Sequence, residues 1–408
     1  MLLYGSIVCF ILLYVFIVLE QKNIKISSFF TKDKEEVFVA NAMSTESSST
    51  MPNTIVIKPL TLSEHLNVTH IPTPEHVRGL YLSAWGAGSS ALTNPIVEYI
   101  DNTELNAVVV DVKDYTGQVS FALEDYGSST EKYRAVYQMG NQSKKITDVN
   151  ALIKRLHDKN IYVIARIAVF QDPLISRMHP EWAIKDKQGG IWHDKKGLSW
   201  INPKEQDYWK YVESLANYAY DIGFDEVNLD YIRFPTDGDI DNMYLGLASS
   251  SRAEVINDFY VYMGDAMYDV VPLSADLFGL TTVATDDLGI GQKIESGLKN
   301  FNYVAPMIYP SHYGANFEGI KDPDAHPYDT IYKTMKKSIA KVSQLATDTD
   351  MEPDYYMKKM RPWIQDFSLH HNYGVNEINA QIKALHDVGI ESFLVWNASN
   401  RYTKGVGY

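Results

Sequence analysis

Eight short apolar runs recur along the chain, at residues 79–85, 107–112, 162–167, 226–231, 271–277, 303–308, 362–367 and 392–396. Each is rich in Val, Ile, Leu, Tyr or Phe. Between them lie longer stretches with apolar residues at helical spacing, as in 149–158, 207–222 and 376–388. Short apolar strands alternating with amphipathic helices are repeated βα units, because parallel neighbours need a crossover helix that also covers the sheet. Eight such units predict a closed (β/α)8 barrel over residues 77–408, and a doubly wound open sheet is the alternative with the same alternation. The chain of 408 residues is long enough for several domains. A barrel of about 250 residues or more with insertions uses most of that length in one domain.

The segment before the barrel differs. Residues 1–19 carry no charge and are almost entirely apolar, and about 20 such residues suffice to cross a bilayer. Residues 1–20 are therefore expected to be a membrane anchor or export signal, contacting the membrane and leaving the barrel outside the cell or secreted. The lysines that follow, Lys22, Lys25, Lys32 and Lys34, would by the positive-inside rule favour the opposite orientation. Residues 21–76, turning to Ser, Thr, Pro and Asn from position 41, are expected to be a flexible linker.

Charge narrows the partners. The 37 Lys and Arg against 51 Asp and Glu give a formal charge of −14, with no cationic excess to neutralise phosphates, so nucleic acid is an unsuitable partner. The single cysteine, Cys9, permits neither an intrachain disulfide nor a cysteine zinc site. No phosphate-cradling glycine loop and no Gly-x-Ser-x-Gly elbow follows a strand, and the histidines form no ligand set of the His-Glu-x-x-His kind. No cofactor and no metal is expected; the oligomeric state is open.

In a parallel barrel the active site lies at the carboxyl ends of the strands, where all eight βα loops gather. Polar and aromatic residues that end apolar strands are therefore the candidates. They include Trp85, Asp111, Arg166, Asn228, Asp230, Arg233, Asp276, Tyr309, His312, Trp363, Asp366, Trp396 and Asn397. Carboxylates dominate. Cleavage of a glycosidic bond needs two, one protonated to serve the leaving oxygen and one ionised to attack the anomeric carbon or activate water. Aromatic faces stack on sugar rings, and Trp85, Trp182, Trp192, Trp200, Trp363 and Trp396 lie near strand ends or in the long loop 170–206. The period-two rule puts Glu226, Asn228 and Asp230 on one strand face, with Asp230 at the mouth. A buried pairing of Asp230 with Arg233 or Arg166 is the structural alternative. Asp111 and Lys113 also share a face and could form a salt bridge. Gln365 and Asp366 point to opposite faces, so only one reaches the cavity.

Six motifs carry a resemblance: Val77-Arg78-Gly79-Leu80-Tyr81, His179-Pro180-Glu181-Trp182-Ala183, Gly223-Phe224-Asp225-Glu226-Val227, Leu229-Asp230-Tyr231-Ile232-Arg233-Phe234-Pro235, Ala305-Pro306-Met307-Ile308-Tyr309-Pro310-Ser311-His312-Tyr313 and Arg361-Pro362-Trp363-Ile364-Gln365-Asp366-Phe367. In this order they resemble a family of bacterial putative glycoside hydrolases assigned to the α-amylase-like (β/α)8 superfamily. The resemblance implies a retaining glycosidase acting on a carbohydrate polymer. It implies Asp230 as nucleophile, Asp276 as proton donor and Asp366 as stabiliser of the cation. Trp85, Asp111, Arg166, Asn228, Arg233, Tyr309, His312, Trp363 and Trp396 are the residues expected to bind the sugar. Two positions depart from the α-amylase pattern: Asn228 stands where Arg is usual, and Asp276 where Glu is usual. Asp111 or Asp172 could take the acid role instead. A non-catalytic carbohydrate-binding barrel is the rival reading.

Overall fold

The computed structural model describes residues 66–124 and 131–408. The expected anchor at 1–20 and most of the linker lie outside them. Eight parallel strands form the barrel: β1 (Arg78–Leu82), β2 (Ala107–Lys113), β3 (Tyr162–Ala168), β4 (Glu226–Asp230), β5 (Leu273–Phe278), β6 (Tyr303–Met307), β7 (Trp363–Gln365) and β8 (Phe393–Trp396). Closure is explicit, since β1 pairs in parallel with both β2 and β8. The helices on the outside include α1 (Ser90–Asp101), α2 (Val149–His157), α3 (Gln206–Asp221), α4 (Arg252–Met267), α5 (Ile294–Asn300), α6 (Pro327–Thr349) and α7 (Val375–His386). The eight runs read from the sequence are these eight strands.

Strands β2 and β3 are buried at every residue because both faces are covered, the inner by the lumen and the outer by helices. Alternate residues divide accordingly. Tyr81, Val109, Tyr162, Ile164 and Leu394 pack together inside the barrel, while Leu80, Val108, Val110 and Val163 join the larger core under the helices. Helix α2 shows the matching outer pattern. Asp148 caps its first turn by accepting from the Ala151 N–H, and Val149, Leu152, Ile153 and Leu156 form its buried stripe. Burial of each such side chain stabilises the fold by about 1.5 to 3 kcal/mol. Leu156→Asp would place a charge under the helix and should undock it.

The amino ends of the strands are closed by paired groups. Glu226 accepts from Arg361 Nη1 at 2.7 Å and from the Tyr162 hydroxyl at 3.0 Å. Asp225 accepts the Val163 N–H at 2.8 Å and the Ile71 N–H at 2.7 Å, and His70 stacks on Tyr220. The last part of the expected linker, from about His70, thus lies against the barrel. Among the described residues no helix is long and apolar enough to cross a membrane.

One local feature departs from simple alternation. Between Asp111 and Lys113 the β2–β3 register slips by one residue, so β2 carries a bulge. Asp111 therefore stays in the lumen opposite Arg166, while Lys113 turns into the wall. There it pairs with Asp172 at 2.9 Å and donates to the Ala168 carbonyl at 2.5 Å. The expected Asp111–Lys113 pair does not form, because the bulge breaks the period that predicted it.

Candidate active site

Asp111, Arg166, Asn228 and Ser274 lie side by side on β2, β3, β4 and β5, in one layer of the lumen. Strand alternation places Asp230 and Asp276 one step nearer the mouth on the same face. Arg166 reaches between them. Its Nη1 donates to Asp111 at 2.6 Å, its Nη2 to Asp230, and its Nε lies 3.6 Å from Asp276. The guanidinium packs on the Tyr81 and Trp396 rings, which stack on each other at 4.0 Å. One cation is thus shared by three acids.

Each acid has its own second partner. The Tyr81 hydroxyl donates to Asp111 at 2.5 Å. Asp230 accepts the Tyr231 N–H at 2.6 Å, and Tyr231 has a φ of 55°, a left-handed conformation rare for a bulky residue. Asp276 accepts from Trp363 Nε1 at 2.7 Å and from Asn228 Nδ2 at 2.9 Å, both on the same oxygen. Its other oxygen faces Arg166. Buried Arg166 Nε and Asn228 Oδ1 have no hydrogen-bond partner among the described residues.

Burial and the neighbouring Asp230 charge push Asp276 up to about 8, and Arg166 and its other donors only partly oppose them. At neutral pH its carboxyl is therefore largely protonated. Burial also raises Asp111, against the pull of Arg166 and Tyr81. Burial works against the Arg166 charge, yet Asp230 and Asp111 outweigh it and hold the guanidinium protonated. Two carboxyls on adjacent strands, one an acceptor to a guanidinium and an N–H and one carrying a proton, can act as a base or nucleophile and an acid.

The other expected residues fall into groups. Arg166, Asn228, Asp111, Trp363 and Trp396 join the carboxyl cluster. Tyr309 is buried among the lumen aromatics, and His312, exposed, meets the Tyr309 and Phe367 rings edge-on. Trp85 stands 69% exposed with the Lys145 ammonium 6.0 Å over its ring. Asp366 does not join the cluster: it accepts from the Thr403 N–H at 2.8 Å and the Thr403 hydroxyl at 2.7 Å. Gln365 bonds Ser311 instead. Asp172 is committed to Lys113 and to capping the helix Pro173–Met178. Trp192, Trp200 and Trp363 are buried, so these indoles build the walls and present no open sugar platform. Tyr81 and Ser274 are site residues that the strand-end search passed over. Alternation from Gly79 would have placed Tyr81 in the lumen.

Arg233 lies beyond Asp230, between the rings of Trp200 at 4.9 Å and Phe278 at 4.6 Å. With Tyr115, Gln171 and Tyr231 it lines a rim pocket of about 170 Å³. A larger hollow of about 970 Å³ lies on the outer wall, lined by residues of α2, the end of α3 and residues 66–71. It contains no member of the Arg166 cluster, so its size carries no weight against the strand-end site. Among the described residues no group of three metal-ligating side chains is placed to hold an ion.

Fold and site define a (β/α)8 barrel with a shared-cation carboxyl cluster at the strand carboxyl ends, where such barrels perform catalysis. The chain belongs to the family described as putative glycosyl hydrolase domain, whose model matches residues 79–402. Membership makes it a glycosidase at the level of the family. No curated protein matches the chain. Among solved structures it is similar to a hypothetical protein from Ruminiclostridium thermocellum ATCC 27405, with 36% identity over 52% of this chain and 98% of that one and a TM-score of 0.42. It is also similar to the PgaB (BpsB) glycoside hydrolase domain from Bordetella bronchiseptica, with 12% identity, coverage of 80% and 95%, and a TM-score of 0.54. An endo-beta-1,4-mannanase from Thermotoga petrophila is 11% identical with a TM-score of 0.48, over 83% of this chain and 74% of its own. The likeness to the Bordetella bronchiseptica domain is one of fold.

Proposed function

We propose that the protein cleaves glycosidic bonds in a polysaccharide by a retaining route like that of the α-amylase-like barrels, with Asp230 as nucleophile and Asp276 as general acid. The observation that carries this reading is the unequal pair. Asp230 accepts from the Arg166 guanidinium and the Tyr231 N–H, while Asp276 is pushed up to about 8 on the next strand. Both oxygens of such a pair face one guanidinium, so proton and charge are divided between them by Arg166. Because Asp276 Oδ1 already accepts two N–H groups, its proton belongs on Oδ2, the oxygen that faces Arg166. In the proposed reaction Asp230 attacks the anomeric carbon as the Asp276 proton passes to the leaving oxygen. Water then attacks the glycosyl ester with Asp276 as base, restoring both groups. Asn228 and Trp363 position Asp276, Tyr309, His312 and Trp396 orient the sugar, and Trp85 offers an outer stacking face. Asp366 secures the carboxy-terminal segment through Thr403. The proposed setting is outside the cell, with residues 1–20 as the tether.

One observation favours the rival, a carbohydrate-binding barrel without catalysis: Asp276 is only 1% exposed. A screen of polysaccharides for released reducing ends decides between them. Asp230→Asn and Asp276→Asn should each lower the rate at least about a hundredfold. Full activity in either variant, or binding without cleavage by the wild type, sinks the assignment.

A further inference from the structure

Arg233 is a buried cation without an ionic partner. It is 9% exposed, and its only hydrogen bond among the described residues runs from Nη1 to the Phe234 carbonyl at 2.9 Å. Trp200, Tyr231 and Phe278 surround the guanidinium with ring faces. Cation–π contacts of this kind offset only part of the cost of burying an ion. The nearest acids do not make up the difference. Asp194 spends both oxygens elsewhere, on the Lys196 and Leu198 N–H groups at 2.9 Å, Gln171 at 2.9 Å and Trp200 Nε1 at 3.1 Å. Asp230 is held by Arg166 and Tyr231. Asp237 lines the same pocket without reaching salt-bridge distance.

The geometry also says which edge is free. With Nη1 occupied, Nε and Nη2 remain. Neither is hydrogen-bonded to a described residue, and neither is sealed from solvent. They are the two parallel N–H groups of one guanidinium edge, the fork that a carboxylate matches with both oxygens. The pocket that Arg233 lines holds about 170 Å³. That is smaller than the roughly 300 to 1,000 Å³ of a whole-ligand site, so it admits one charged group of a longer chain. Arg233 is three positions past Asp230, and Tyr231, whose N–H donates to Asp230, lines the same pocket, so the pocket adjoins the strand-end carboxyl cluster.

We propose that the Arg233 pocket is a subsite for a sugar bearing a carboxylate, so that the substrate is an acidic, uronate-containing polysaccharide. The proposal rests on the glycosidase reading of the same rim. Its test compares binding of the methyl glycosides of glucuronate and glucose, and of galacturonate and galactose, to the full chain by calorimetry. Each pair differs at one carbon, carboxylate against hydroxymethyl. At least one uronate should bind about tenfold or more tightly than its neutral counterpart. Arg233→Gln should abolish that preference, and Arg233→Lys, which keeps the charge and loses the fork, should retain part of it. Equal binding within both pairs, no binding of either uronate, or a preference that survives Arg233→Gln overturns the proposal. Binding is read without turnover, so the two readings fail separately. A chain that prefers uronates and cleaves nothing keeps the subsite and loses the enzyme; one that cleaves only neutral glycans does the reverse.

Discussion

Strand β4 carries an acid at each end, and the barrel treats the two in opposite ways. At the amino end Glu226 meets one guanidinium, Arg361, and one phenol, Tyr162. At the carboxyl end Asp230 shares Arg166 with Asp111 and Asp276. The first arrangement balances charge one to one. The second leaves more acid than cation, and the surplus is relieved by a proton on Asp276. The same strand, four residues apart, supplies a plug and the proposed reactive centre. In barrels generally the amino face serves stability and the carboxyl face chemistry, and here the difference lies in how many acids each arginine must serve.

The comparison breaks most visibly in stability. Glu226→Gln strands Arg361 as a buried charge and should destabilise the protein by about 3 to 5 kcal/mol. Asp230→Asn still leaves Arg166 paired with Asp111 and close to Asp276, and should leave the denaturant midpoint unchanged or raised. If urea titrations show the reverse order, the two ends do not differ as described.

The next effect is in pH. Asp276 is raised from its ordinary 3.8 to about 8, so the folded state binds a proton that the unfolded chain has released. Its contribution to stability is complete below about 4 and is lost as pH rises towards 8. Melting temperature should therefore fall over that window in the wild type, and less steeply in Asp276→Asn. Activity that needs the protonated acid should also decline above about pH 8. Removing the Asp230 charge should draw the Asp276 titration to lower pH, followed by carboxyl infrared or NMR signals. An unmoved titration would mean that burial alone raises it.

The smallest effect is expected at Tyr81. Its hydroxyl donates to Asp111 at 2.5 Å. Tyr81→Phe should cost about 1 kcal/mol in denaturation and raise the Asp111 titration further. A neutral outcome would place the Tyr81 contribution in ring stacking with Trp396.

Most of the barrel was legible in the sequence because parallel strands are apolar on both faces and stand out as eight runs. Rim position was legible too, since alternation in Glu226-Val227-Asn228-Leu229-Asp230 fixes which side chains share the lumen. Two kinds of fact were not. The bulge before Lys113 leaves no mark in composition, and it reverses the face on which a lysine lies. The sharing of Arg166 among three strands is a long-range arrangement that no local pattern reports. Pairing of Asp230 with Arg166, read from sequence as a purely structural alternative, forms together with the cluster that gives Asp276 its proton. Tryptophans misled for a simpler reason: a strand-end position does not say whether an indole faces the opening or the wall.

The turned Lys113 has a mechanical consequence. Its ammonium joins Asp172, the Ala168 carbonyl and the Tyr208 hydroxyl at 3.3 Å, and Asp172 in turn starts the helix Pro173–Met178. Strand β2, the end of β3, helix α3 and the root of the long loop are riveted at one point. Farther out, Lys185–Asp186 of that loop pairs with Met243–Tyr244 of the loop after β4. The mouth is a braced frame, so a polymer entering it as proposed would leave little ordering entropy to be lost.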